Sequence, residues 1–212
     1  MTPETIAAEL RTELMAGILR PGADLSQVEL AERFGVSRIP IRDALRILAG
    51  EGLVTIEANR GAKAIKLTPR EVGEIYDLRL LLECDCLRRA AEVMTPAALQ
   101  EIDRVRLKSD LDAGGPDWAA GDWAFHRSIY QLAGRHRQLT MIEALRRTCL
   151  LFISAYSTMP AKKPRWLNEH RAILQHLKTG ETDQAVAVLR GHLGGAAQHL
   201  LDRMTHVGIA GA

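Results

Sequence analysis

Residues 18–61 read ILRPGADLSQVELAERFGVSRIPIRDALRILAGEGLVTIEANRG, and their punctuation decides the fold. Pro21-Gly22 closes the preceding segment. Ser26 stands three residues before Glu29, a capping-box spacing that starts a short helix to Phe34. Gly35 supplies a tight turn, Ser37 caps a second helix over about 37–50, and Gly50 and Gly52 stop it. Leu53-Val54-Thr55-Ile56 and Ala62-Lys63-Ala64-Ile65 are short strand candidates around the turn-prone Asn59-Arg60-Gly61. Upstream, Thr2-Pro3-Glu4 opens a helix on which Ile6, Leu10, Leu14 and Ile18 recur at helical spacing. Helix, helix, turn, helix and hairpin is the order of a winged helix-turn-helix with a β-hairpin wing.

The second of the paired helices in such a unit enters the major groove, where its first turn meets base edges. Ser37, Arg38 and Arg42 fit that task, because Arg38 and Arg42 share a face and arginine can grip guanine O6 and N7 with two bonds. Arg46, a turn later, suits a phosphate. Arg60-Gly61 at the wing tip can approach the minor groove or the backbone, since glycine lets the main chain come close. Leu30, Ala31, Val36, Ile41, Leu45 and Leu48 would pack the helices together. An arginine face on a solvated helical hairpin would look similar, so spacing alone does not decide for DNA.

Charge adds nothing to the case. The 212-residue chain has a net charge of +2, and residues 1–66 hold nine basic and nine acidic side chains. Placement carries the information: Arg60, Lys63, Lys66 and Arg70 follow one another with no acid between them. Apolar residues make up 47% and charged residues 25%, the mix of a water-soluble globular protein. The start of the chain is unlike a signal peptide, no apolar run approaches a membrane span, and a cytoplasmic, non-membrane protein is expected. Cys84, Cys86 and Cys149 lack a disulfide or Cys-x-x-Cys framework and read as small buried hydrophobes.

Past Leu67 the pattern turns wholly helical. Thr68-Pro69-Arg70-Glu71 is another capping box, and helices are expected over about 69–93, 96–112, 117–133, 137–157, 164–178 and 181–205. The expected division is a DNA-binding domain over 1–67 and an all-α helical bundle over 68–207. Within that bundle Asp122 and His126 are four apart, so they share a helix face and can share a metal. His170 and His192 lie on separate later helices. One carboxylate and three imidazoles suit zinc, nickel or manganese and can leave coordination positions open. His199, seven after His192, is a reserve ligand, whereas His136, His176 and His206 read as surface or capping residues. Such pairs also arise by chance among seven histidines.

Residues 18–61 closely resemble the GntR family of bacterial regulators. The Pro-Gly pair, LAERFGVSR, RDALRIL, EGLV and the NRG wing match it in order and spacing. By that resemblance Ser37, Arg38, Arg42 and Gly61 carry DNA contacts; some members place an additional arginine where this chain has Val28. Residues 70–205 resemble the all-helical effector domain of the FadR-type branch, the FCD domain, through DWAFHRSIYQLAG and EHRAILQHLKTGETDQAVAVLRGH. Its Asp-x3-His, a histidine about 45 on and another 22 later correspond to Asp122, His126, His170 and His192.

The resemblance further implies a small carboxylate effector at the metal, with Arg79 and Tyr156 at positions that can face it. Each has a structural alternative: Arg79 an ion pair with Glu83, Tyr156 an ordinary half-buried ring. It implies a homodimer on a pseudo-palindromic operator, and repression as the usual direction of control. The expected function is a metal- and acid-responsive, DNA-binding transcription regulator without enzymatic activity. A regulator sensing metal alone, and a metal-dependent hydrolase fused to a DNA-binding module, stay open.

Overall fold

A computed structural model describes residues 1–57, 61–113, 115, 118–156 and 163–206, apart from the side chains of 57, 151–156, 163, 205 and 206. Its contacts divide the chain into two units. The first holds residues 1–71 with 146–156 and 203–206, and the second holds 72–145 and 163–202.

In the first unit α1 (Pro3–Met15) begins at Thr2, whose hydroxyl accepts from the Thr5 amide. Strand β1 (Asp24–Leu25) precedes α2 (Gln27–Phe34), capped by Ser26 through the Glu29 amide. Gly35 then takes φ +63°, a left-handed turn that releases two carbonyls into a C-cap and turns the chain into α3 (Arg38–Gly50). Ser37 occupies the N-cap of α3, yet its side chain makes no capping bond there. Ile41, Ala44, Leu45 and Leu48 of α3 are buried, with Leu30 and Ala31 of α2 and Ile6, Leu10 and Leu14 of α1; Val36 is only half-buried. Strands β2 (Val54–Glu57) and β3 (Gly61–Ala64) pair antiparallel, Val54 opposite Ala64 and Glu57 opposite Gly61.

One strand is not foreshadowed by the sequence pattern. β1 adds to the outer edge of β3, Asp24 opposite Lys63 and Leu25 opposite Ala62, giving the order β1-β3-β2. Two residues are too few for period-two alternation to register. The wing is therefore anchored to the loop before α2, with the fully buried Leu25 as its rivet.

The second unit carries α4 (Pro69–Glu92), whose first turn belongs to the first unit, then α5 (Pro96–Asp112), α6 (Trp118–Tyr130), α7 (His136–Tyr156), α8 (Lys163–Lys178) and α9 (Thr182–His206). The helix expected to run to 133 stops at Tyr130, and Gln131–Ala133 tighten into a 3-10 turn before Gly134. Phe125, Ile129, Ile142, Ile173, Leu189 and Leu193 are among the residues of one buried core. All three cysteines are buried and free; burial pushes the Cys86 thiol up to about 11, so it is inert. Among the described residues, no helix is long and apolar enough to cross a membrane.

Candidate metal centre and DNA-reading surface

On α6, Trp118, Asp122, His126 and Tyr130 recur every fourth residue. Four residues turn a helix by about 400°, so the stripe winds about 40° further at each step. Its two ends therefore address different neighbours. Trp118 stacks on Trp166 of α8 with ring centroids 5.1 Å apart. Tyr130, at the other end, donates to Glu83 of α4 at 2.8 Å. Asp122 and His126 lie between them and face the interior. Gly121 lets α6 come close to α5: a Cβ there would sit 3.2 Å from the Ser109 Cα and Oγ.

His170, one turn beyond Trp166 on α8, and His192 on α9 complete the group. One ligand atom from each of Asp122, His126, His170 and His192 falls within 4.8 Å of the others. His170 Nε2 is 3.3 Å from Asp122 Oδ1, and His126 Nε2 is 3.8 Å from the same oxygen. Imidazole centroids lie 4.9 to 5.1 Å apart. His126 and His170 are 1% and 0% exposed, so three imidazoles converge on one carboxylate away from solvent. Both ring nitrogens of His170 are buried without a hydrogen-bond partner. Leaving them so costs one to a few kcal/mol, and a cation on Nε2 would remove part of that cost. The donor set of three nitrogens and one oxygen fits a borderline divalent ion.

The surrounding shell orders these side chains. His192 Nδ1 is 2.9 Å from Glu169 Oε2, and Arg165 Nε donates to the other Glu169 oxygen at 2.7 Å. Burial tends to raise the Glu169 carboxyl, but the bonds from His192 and Arg165 outweigh it and hold it below the usual carboxylate range. Burial pushes His192 below the ordinary imidazole value despite its Glu169 bond, which keeps the ring neutral, as ligation requires. Adjacent helix positions point apart, so Glu169 does not enter the cluster beside its sequence neighbour His170. It supports the cluster through His192 of α9 instead. Tyr130 and Glu83 join in a similar way: Tyr130 Oη is 3.2 Å from His126 Nδ1, and Glu83 also accepts from Arg79 Nε at 2.7 Å. Glu169 and Tyr130 are the supporting residues that spacing does not point to, although Tyr130 stands one turn past His126.

Arg79 is buried, paired with Glu83 and stacked over the Tyr76 ring at 4.6 Å. The i,i+4 pair that is its structural alternative is thus present. The Tyr156 side chain lies outside the described residues, as does that of His206. His199 is not in the cluster and packs edge-on to Trp166. His136 is exposed, and His176 bonds Glu181 at the end of α8.

On the first unit, Ser37, Arg38, Arg42 and Arg46 are all exposed along α3. Asp43 lies 3.6 Å from Arg42 Nε and 3.4 Å from Arg46 Nη1, while Arg38 has no ion pair among the described residues. Gly61 is exposed at the start of β3 with φ +92°, a conformation open to glycine. Arg60 lies outside the described residues.

Comparison with known proteins bears on both surfaces. Residues 2–63 match the model for bacterial regulatory proteins of the gntR family, and residues 74–195 match the FCD domain. The gluconate operon transcriptional repressor of Bacillus subtilis (strain 168) is 31% identical over 196 residues, spanning 88% of this chain and 79% of that protein. Its counterpart in Bacillus licheniformis is 30% identical over 84% of this chain and 76% of its own length. Among solved structures, E. coli McbR/YncC shares the fold with a TM-score of 0.77 at 23% identity, covering 94% of this chain and 97% of the other. A GntR family member from Pseudomonas syringae pv. tomato str. DC3000 has a TM-score of 0.57 at 25% identity, covering 98% and 89%.

Proposed function

This chain belongs to the gntR family of bacterial regulatory proteins, with an FCD domain after its DNA-binding part, and from that premise we propose that a divalent metal and a small carboxylate govern its hold on DNA. It is a DNA-binding transcription regulator and not an enzyme; the two Bacillus relatives are transcriptional repressors, and the hydrolase alternative falls away. Asp122, His126, His170 and His192 hold the metal. The observation that carries this is the fully buried His170 imidazole, aimed at Asp122 and without a hydrogen-bond partner.

A metal on four protein ligands supplies open coordination positions that attract a carboxylate. The chain's own residues do the rest. Burial keeps His192 neutral, and Glu169 holds it in orientation. Arg79 is the candidate cation for the far end of the acid, and its bond to Glu83 keeps the guanidinium in place; Tyr156 is a candidate wall. Ser37, Arg38, Arg42, Arg46, Arg60 and Gly61 contact the operator. A homodimer presents two such surfaces to a pseudo-palindrome. Effector binding shifts the balance between DNA-competent and incompetent forms, which requires different affinity for the two.

Elemental analysis tests the metal directly. The parent is expected to carry about one equivalent of zinc, nickel or manganese, and His170→Ala and His192→Ala to carry none. Full occupancy in both variants would end the assignment. For the effector, gluconate and other hydroxy acids are the first probes, since the similar repressors are those of a gluconate operon. Metal-loaded protein on a DNA site selected from a random duplex library should release it when the right acid is added. Release by metal alone, with no acid effective, would favour the metal-sensing reading.

A further inference from the structure

Two of the three histidines in the cluster are held from behind by carboxylates, one directly and one through a phenol. His192 Nδ1 meets Glu169 at 2.9 Å. His126 Nδ1 meets the Tyr130 hydroxyl at 3.2 Å, and that hydroxyl donates to Glu83 Oε2 at 2.8 Å. Glu83 is 0% exposed and ion-paired with Arg79, so its carboxylate is an acceptor only. The single phenolic proton therefore belongs to the Tyr130–Glu83 bond. Tyr130 Oη can then only accept from His126, which puts a proton on Nδ1 and a lone pair on Nε2. Nε2 is the nitrogen that faces Asp122, at 3.8 Å.

From this we infer that Tyr130, fixed by Glu83 and Arg79, is a positioning residue that locks His126 in the Nδ1–H tautomer and turns the Nε2 lone pair into the cluster. Its purpose rests on the metal reading above, but the tautomer is a property of the chain itself. The chemistry parallels that of metal sites in general, where the outer nitrogen of a ligating histidine donates to an acceptor that fixes ring and tautomer. Here the acceptor is one step removed. The relay runs from α4 to α6, so a side chain on the unit's first helix sets the ligand geometry of its third.

Long-range proton–nitrogen NMR on the metal-free parent is the decisive measurement. His126 is expected to show a protonated Nδ1 and a bare Nε2. Tyr130→Phe keeps the ring and removes the hydroxyl alone. In that variant His126 should move toward the Nε2–H form that unconstrained neutral histidine prefers, while His192, held by Glu169, stays unchanged. Zinc affinity, measured by chelator competition, should fall about 10- to 100-fold. Cys86→Ala, a buried change outside the cluster, controls for core loosening: it should lower the melting temperature without changing the tautomer or the zinc affinity. An Nε2–H His126 in the parent, or a Tyr130→Phe protein with parental tautomer and affinity, overturns the inference. Should the parent take up no zinc, nickel or manganese, the metal reading fails, and the tautomer still decides this one. If Tyr130→Phe does not fold, the parental spectrum alone decides between the two tautomers.

Discussion

Arg38 is the arginine on α3 best placed to act alone. Arg42 and Arg46 both lean on Asp43 at 3.6 and 3.4 Å, so each must give up part of that attraction to reach DNA. Such exposed pairs are worth at most about 1 kcal/mol, so the tether tunes the contact rather than forbidding it. Arg38→Ala is expected to weaken binding to a selected site by about 1–3 kcal/mol and to relax base preference at one position, as read by titration against single-base variants. Unchanged affinity and selectivity would remove Arg38 from the reading surface. At this scale the cluster was readable, because Asp122, His126, His170 and His192 are polar residues at intervals that helices bring together. Their supports were less so. Tyr130 and Glu169 each acquire a role from a partner on another helix, which local spacing does not show. Glu83 was visible as the mate of Arg79, but its second bond, to Tyr130 47 residues away, was not.

Between elements, an ion pair ties α1 to the end of α3. Arg11 of α1 donates to both oxygens of Glu51, the C-cap of α3, at 2.8 and 2.5 Å. The bond from Arg11 holds the Glu51 carboxyl below its ordinary range. A carboxyl depressed in the folded state stabilises above its unfolded pKa, and that gain disappears as the pH falls through the folded value. Glu51→Gln is therefore expected to cost about 1 kcal/mol at pH 7. The difference from the parent should begin to shrink as the pH falls through the unfolded carboxyl's value of about 4.3 and close once it has passed the lower folded one. Urea titrations of both proteins at the two pH values check this, and a gap that persists in acid would mean the pair is not its cause. Caps and glycines made the elements legible: Thr2, Ser26 and Gly35 all bound helices where their chemistry predicts. The misses were β1, the 3-10 turn after Tyr130 and Ile18, which lies exposed past the end of α1 at Met15; tertiary pairing and local tightening decide there rather than periodicity.

For the whole molecule, the proposed metal gives a handle on the second unit. A ligand that binds only the folded form stabilises it by RT ln(1 + [L]/Kd), about 2.7 kcal/mol at a hundredfold excess over Kd. Zinc added to chelator-stripped protein at that ratio should raise the melting transition by about 5–10 °C in a chain of this size. His170→Ala should melt at the same temperature with or without zinc, and an equal rise in that variant would point to adventitious binding. The change of pattern near Thr68 leads to an expected boundary at 67/68, and the contacts divide the chain at 71/72. The return of residues 146–156 and 203–206 to the first unit was not legible, because no local signal marks which neighbour a long helix will keep. The winding stripe of α6 carries a consequence for how such a protein can change through time. Loops can lengthen or shorten without disturbing the cluster, but losing a single residue between Trp118 and Tyr130 would swing one end of the stripe by about 100° relative to the other. Asp122 and His126 would part, or Tyr130 would turn from Glu83. Helix α6 is in that sense a ruler with a fixed reading frame, along which descendants can exchange letters but not drop one.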